Sequence, residues 1–328
     1  MTGLVRGMLA VALLATVGPA HASEPPAIAI LDTGIVAWQP AFAPGQVKAW
    51  RDFVSGFPEP YDDHGHGTSV ASRAAGLTVG AASPGADLIV AKVLRSDNGL
   101  SSWSLVQQAI VWAVDEGADV INVSIWGSVP NPTGSFNVAG AINYARERGV
   151  LVVWIAGNGG QLQQAPAPNP VPATTLPGAS SPQALIVGAA APNGMPAGFS
   201  QRDPELLAYG QDVLIALPGG GHGRGWGTSF AAPWIAGAAA RLITEGAPRD
   251  PDWLEWIMLH AAADRSEWTY LDEGYGLFDD DALARAIAIV RGEQPIPGLD
   301  ERDLWHVATT VPRVAQTTRA PGGILPPP

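Results

Sequence analysis

Short apolar runs and longer amphipathic stretches take turns along most of this chain. Ala27–Leu31, Asp87–Leu94, Val120–Ser124, Leu151–Ala156 and Leu185–Ala190 are rich in Ile, Val and Leu, with few polar interruptions. Runs of this kind suit strands buried on both faces of a parallel sheet. Helical spacing takes over in Gly67–Ala75, Trp103–Glu116 and Asn137–Arg148, the last closing on basic residues with Gly149 as a stop signal. A strong helix over Thr228–Ile243 follows a glycine-rich loop, and two more span Trp253–Ala262 and Asp281–Arg291. The alternation predicts an α/β fold: a three-layer, doubly wound, mostly parallel sheet with helices on both faces. In such a sheet, sites gather outside the carboxyl ends of the strands.

The two ends of the chain break this rhythm. Arg6, the apolar stretch Met8–Val17 and the small-residue site Ala20-His21-Ala22 read as a Sec-type signal peptide over residues 1–22. The apolar run is shorter than the roughly 18–20 residues a spanning helix needs, so cleavage is expected in place of a membrane anchor. Residues 23–292 form the main domain. Residues 293–328 hold seven prolines and little periodicity, which predicts an extended tail packed at most locally through Leu304 and Trp305. A second Pro-rich stretch, residues 161–178, lies inside the domain; loops that long are often functional.

Composition narrows the chemistry. Among 328 residues there are 30 acidic against 18 basic side chains, and no stretch gathers the basic ones. Nucleic acid and an anionic membrane surface are therefore not expected partners. There are no cysteines, which removes disulfides, thiolate metal sites and a cysteine nucleophile.

Three short motifs remain. The strand Ala-Ile-Ala-Ile-Leu delivers Asp32 to its carboxyl end, followed by Thr33 and Gly34. A buried carboxylate there needs partners, although Asp-Thr-Gly alone could be a turn. Residues 62–72, DDHGHGTSVAS, offer His66 at the start of a small-residue helix and His64 two residues earlier in a polar loop. His64 reads as a solvated loop residue, and the Asp62-Asp63-His64-x-His66 spacing matches no strong metal signature. Residues 223–243 place Ser229 on a glycine-to-helix junction, where backbone N–H groups are unpaired. An ordinary N-cap is the plain alternative. An acid, a histidine and a serine together are what nucleophilic acyl transfer needs: the histidine accepts the serine proton and the acid holds its tautomer.

The chain resembles the subtilisin-like serine peptidases, the subtilases. Their D-[ST]-G, H-G-T-x-V-A and G-T-S-x-[AS]-x-P motifs match Asp32-Thr-Gly, His66-Gly-Thr-Ser-Val-Ala and Gly227-Thr-Ser-Phe-Ala-Ala-Pro233, and the resemblance runs over roughly residues 27–291. It implies Asp32, His66 and Ser229 as a catalytic triad. VVWIAGNGG is similar to the family's oxyanion-hole segment and implies Asn158 as a donor to the developing oxyanion, with the Ser229 N–H as the second. The resemblance further implies a substrate pocket built from Ser124, Ile125, Trp126 and Gly127, from Trp154, Ala156 and Gly157, and from Thr175 at its floor.

Some features depart from the family. Only Ser23-Glu-Pro-Pro26 separates the cleavage site from the first strand, where secreted subtilases usually carry a prodomain. Either the domain folds unaided, or a folding assistant or inhibitor acts in trans, or residues upstream are missing. The loop AAGLTVGAASPGADL lacks the Asn-rich calcium pattern, so no cofactor is expected, with weak calcium sites left open. Trp126 stands where a small residue is commoner, and Tyr209 where a proline is. The expectation is a secreted or periplasmic monomeric serine endopeptidase acting on polypeptides. The rivals are a ligase or cyclase using the same site and a catalytically silent binding protein.

Overall fold

A computed structural model describes residues 24–100, 102–126, 138–160, 184–263 and 273–294. The signal segment 1–22, the 161–178 loop, Gly127, Thr175 and the tail from 295 onward lie outside the described residues.

Seven parallel strands form the main sheet: β1 (Ala27–Asp32), β2 (Val47–Asp52), β3 (Asp87–Lys92), β4 (Val120–Val123), β5 (Leu151–Ile155), β6 (Ala184–Ala190) and β7 (Leu206–Tyr209). Their order is β2-β3-β1-β4-β5-β6-β7, and a hairpin of β8 (Gln211–Ala216) and β9 (His222–Trp226) stands apart. Each of the five apolar runs read as strands belongs to this sheet. Their side chains are buried throughout β4, β5 and β6, as strands covered on both faces require. The edge strands β2 and β7 and the hairpin gave no such run. β2 reads Val-Lys-Ala-Trp-Arg-Asp, because an edge strand covered on one side tolerates polar residues.

Among the described residues, six helices complete the layers: α1 (His66–Ala75), α2 (Trp103–Asp115), α3 (Val138–Arg146), α4 (Thr228–Thr244), α5 (Pro251–Ala261) and α6 (Asp280–Val290). α1 and α2 both pack on β1 and β3 without packing on each other, so they cover opposite faces of the sheet. α4 lies against α1 and crosses β4 to β7. Its small residues make this possible: Ala231, Ala232, Ala236, Ala238, Ala239 and Ala240 are all fully buried. A helix enclosed on every side has to be apolar all round.

The strand order reverses at β1. The chain goes to β2 and β3 on one side, then to β4 and onward on the other. Ligand sites form at such switch points, outside the carboxyl ends of the strands. Asp32 ends β1 and Ser124 follows β4.

Candidate active site

Asp32 is fully buried and its Oδ1 takes two hydrogen bonds. Thr33 N donates at 2.7 Å, and His66 Nδ1 lies 2.7 Å away. A carboxylate oxygen can only accept, so Nδ1 carries the proton and Nε2 is left as the basic nitrogen. Burial pushes the His66 pKa down, but the Asp32 charge and hydrogen bond, helped by the Asp62 charge, hold it above the ordinary histidine value.

The local sequence explains how His66 gets there. Gly65 takes the left-handed conformation, φ 99°, that starts α1, and His66 is the first helical residue. Gly67 then sits so close to β1 that a Cβ would meet Gly34 O at 2.2 Å and Asp32 Cβ at 3.2 Å. Only glycine allows this approach, which is the physical content of His-Gly-Thr here.

Asp62 ties the same segment together, a role the sequence did not reveal. Its Oδ1 accepts from Thr33 Oγ1 at 2.8 Å and Gly65 N at 2.7 Å. Its Oδ2 accepts from Thr68 N at 2.8 Å and Thr68 Oγ1 at 2.6 Å. Burial raises its pKa, but these donors win and hold it below the usual carboxylate value. Asp63 pairs instead with Lys92, whose buried Nζ also donates to Thr33 O and Leu94 O. His64 is exposed, and its Nδ1 accepts only the His66 N–H, at 3.3 Å. Paired acids before His64 hint at a polar cluster, but their partners lie on other elements, out of reach of a linear motif.

Ser229 is the second residue of α4 and is 6% exposed. The next residue, Phe230, packs its ring 5.7 Å from that of His66, which brings the two helix starts together. No hydrogen bond joins Ser229 to His66 among the described residues; such contacts commonly tighten only with substrate bound. Gly227 provides no side-chain cap. Asn158 Oδ1 takes over, accepting from Thr228 N at 2.9 Å and from Thr228 Oγ1 at 3.0 Å. With Oδ1 committed to these two donors, the amide orientation is fixed and Nδ2 is its free end. The Ser229 N–H, in the first turn, has no intrahelical acceptor.

The remaining expected residues divide. Ser124 is buried and donates from Oγ to Ser229 O at 3.2 Å. Ile125 and Ala156 are buried too, while Trp126 is 53% exposed and lies against Gly157. Trp154 requires a correction. Expected at the pocket, it is fully buried, its Nε1 donates to Ile125 O at 3.1 Å, and its ring tilts against Trp103 on α2. Successive strand residues point to opposite faces, and this one points into the layer under α2.

Comparison with known proteins agrees with this fold. The subtilase family profile (Peptidase_S8) matches residues 24–277. The chain belongs to the subtilase family. It is 34% identical over 233 residues to Subtilisin E of Bacillus subtilis (strain 168), covering 69% of this chain and 56% of that protein. Thermitase of Thermoactinomyces vulgaris is 33% identical over 226 residues, covering 67% of this chain and 75% of its own. Among solved structures, a serine-to-alanine mutant of the protease domain of PatA superposes with a TM-score of 0.66 at 26% identity, covering 82% of this chain and 96% of that one. The three-layer, doubly wound α/β fold expected from the strand and helix pattern is the fold observed, and it is that of the subtilases.

Proposed function

We propose that this subtilase is an exported serine endopeptidase that hydrolyses polypeptides through an acyl-enzyme. The observation that carries the reading is the His66 Nδ1–Asp32 Oδ1 hydrogen bond of 2.7 Å at the head of α1, facing the start of α4 that bears Ser229.

Ser229 Oγ attacks the scissile carbonyl while His66 Nε2 takes its proton, and Asp32 stabilises the imidazolium that results. Negative charge develops on the carbonyl oxygen. Asn158 Nδ2 and the Ser229 N–H, at a helix start that favours anions, are the donors to receive it. His66 returns the proton to the leaving amine. Water then enters, gives a proton to His66 and releases the acid, restoring the serine. No step calls for a metal or cofactor. Export rests on the leader pattern of residues 1–22.

Labelling by a fluorophosphonate, followed on protein beginning at Ser23, tests the reading. Wild type should label and cleave a casein-type substrate, and Ser229→Ala should do neither while keeping its fold. Turnover by Ser229→Ala near the wild-type rate would overturn the assignment. A wild-type protein that binds peptide yet neither labels nor cleaves favours a silent binding protein. Peptide joining in the presence of an added amine would point to a ligase.

A further inference from the structure

The rim of this cleft carries a residue that the chemistry above does not use. Trp126 follows Ser124 and Ile125 directly, and Ser124 is bonded to the Ser229 carbonyl. Gly157 directly precedes Asn158. Trp126 and Gly157 therefore flank the reacting groups from the segments that follow two different strands, β4 and β5.

They meet. A Cβ built on Gly157 would lie 2.8 Å from Trp126 Cδ1, 2.9 Å from Trp126 Nε1 and 2.6 Å from Gln201 Oε1. The space a side chain of residue 157 would occupy is filled by an indole and an amide. Gly157 also has φ +108°, so the glycine answers both a backbone and a packing demand. Gln201 is held in place by its own N–H, which donates to Gly157 O at 3.0 Å. It is 4% exposed, and among the described residues its Oε1 has no hydrogen-bond partner. Gln201 thus fills the space behind Gly157. Trp126, by contrast, keeps 53% of its surface open toward solvent.

We infer that Trp126, backed by Gln201 across Gly157, narrows the subsite for the side chain preceding the scissile bond, so that Gly, Ala and Ser are accepted there and aromatic side chains are turned away. The inference rests on the peptidase reading of the site and adds its substrate class. Excluding a large side chain needs no special contact. Bulk placed where the side chain must go is enough, and Trp126 supplies it without any charge.

The test uses one tetrapeptide series that differs only in the residue before the cleaved bond: Gly, Ala, Ser, Leu or Phe. Wild type should show kcat/KM for Ala at least about 10-fold above that for Phe, the scale on which apolar pockets discriminate by size. Trp126→Gly should raise the Phe-to-Ala ratio by about 10-fold or more while fluorophosphonate labelling of Ser229 persists. Trp126→Ala serves where the glycine variant does not fold, with the same expected direction. A second measurement is independent of turnover: peptide affinity by fluorescence anisotropy on Ser229→Ala protein, with and without Trp126→Gly. It should show the same gain for Phe peptides. A wild type that prefers Phe, or a ratio unmoved by both substitutions, overturns the inference. Loss of labelling in wild type, with the selectivity still visible in binding, would sink the peptidase reading and leave the pocket assignment standing.

Discussion

Ser124 Oγ donates to the carbonyl oxygen of Ser229 at 3.2 Å, across more than 100 residues of chain. The bond exists because of a third residue. Pro233 is the sixth residue of α4, past the first turn where its missing N–H would cost least, and it cannot donate to the carbonyl four residues back. That carbonyl belongs to Ser229. Ser124 fills the vacancy and is itself held by Asn122 Nδ2 at 2.9 Å. Ser124→Ala should leave a buried acceptor unpaired and cost about 1–3 kcal/mol. Thermal unfolding measures this, and peptide turnover should fall as Ser229 loses its tether. An unchanged melting temperature would show that water replaces the hydroxyl.

In the proposed mechanism Asn158 has two separable duties. Its Oδ1 caps α4 through Thr228, and its Nδ2 is the donor available to the oxyanion. Asn158→Asp keeps the acceptor and removes the donor, so kcat should drop by about 10²–10³ with stability nearly preserved. Asn158→Ala should lose both. Equal kcat in Asn158→Asp and wild type would remove Asn158 from the oxyanion role.

The acid limb of the pH–rate profile should report His66. In the proposed mechanism turnover needs the neutral imidazole, and the Asp32 and Asp62 charges hold its pKa above 6.5 against the effect of burial. Activity should therefore rise with pH through a value above 6.5. Asp62→Asn removes one of the two charges and should shift the limb to lower pH, with a loss of stability from the Thr68 donors. A limb that stays put would mean the Asp62 charge does not reach His66.

Glu205 lies far along the sheet, where its carboxylate accepts from Ile186 N at 2.8 Å. Burial, with the Glu255 charge adding to it, lifts its pKa from 4.5 to about 7 although the Ile186 hydrogen bond and Arg146 oppose it. A folded pKa above the unfolded one means the native state holds the proton more tightly, so stability falls as pH rises from about 4.5 to 7. Glu205→Gln keeps the acceptor and removes the charge. It should be more stable than wild type above pH 7, by on the order of 2 kcal/mol at most, and should lose that advantage near pH 4. Melting curves across pH that run parallel for the two proteins would refute this.

His64 and His66 differ by two positions and by almost everything else. His66→Ala should remove nearly all turnover, by several orders of magnitude. His64→Ala loses an exposed ring, its edge contact with the His66 ring and one long hydrogen bond, so most activity should survive. Reversed effects in a peptide assay would exchange the two assignments.

The sequence by itself determined the buried strands, the helices between them and the placing of Asp32, His66 and Ser229 on element ends. These are local facts: strand burial shows as continuous apolar runs, and the tight approaches at Gly67 and along α4 show as small residues in fixed motifs. What only the tertiary structure decided depends on partners remote in the chain. Asp62 reads as loop polarity until Thr33 and Thr68 are seen to donate to it. Trp154 reads as a cleft residue until the pleat turns it under Trp103. Trp126 reads as an odd substitution until it is found on Gly157, with Gln201 behind. Ser124 and Ser229 meet only because a proline leaves an acceptor open, and a hydrogen bond between distant residues leaves no periodic trace in the sequence.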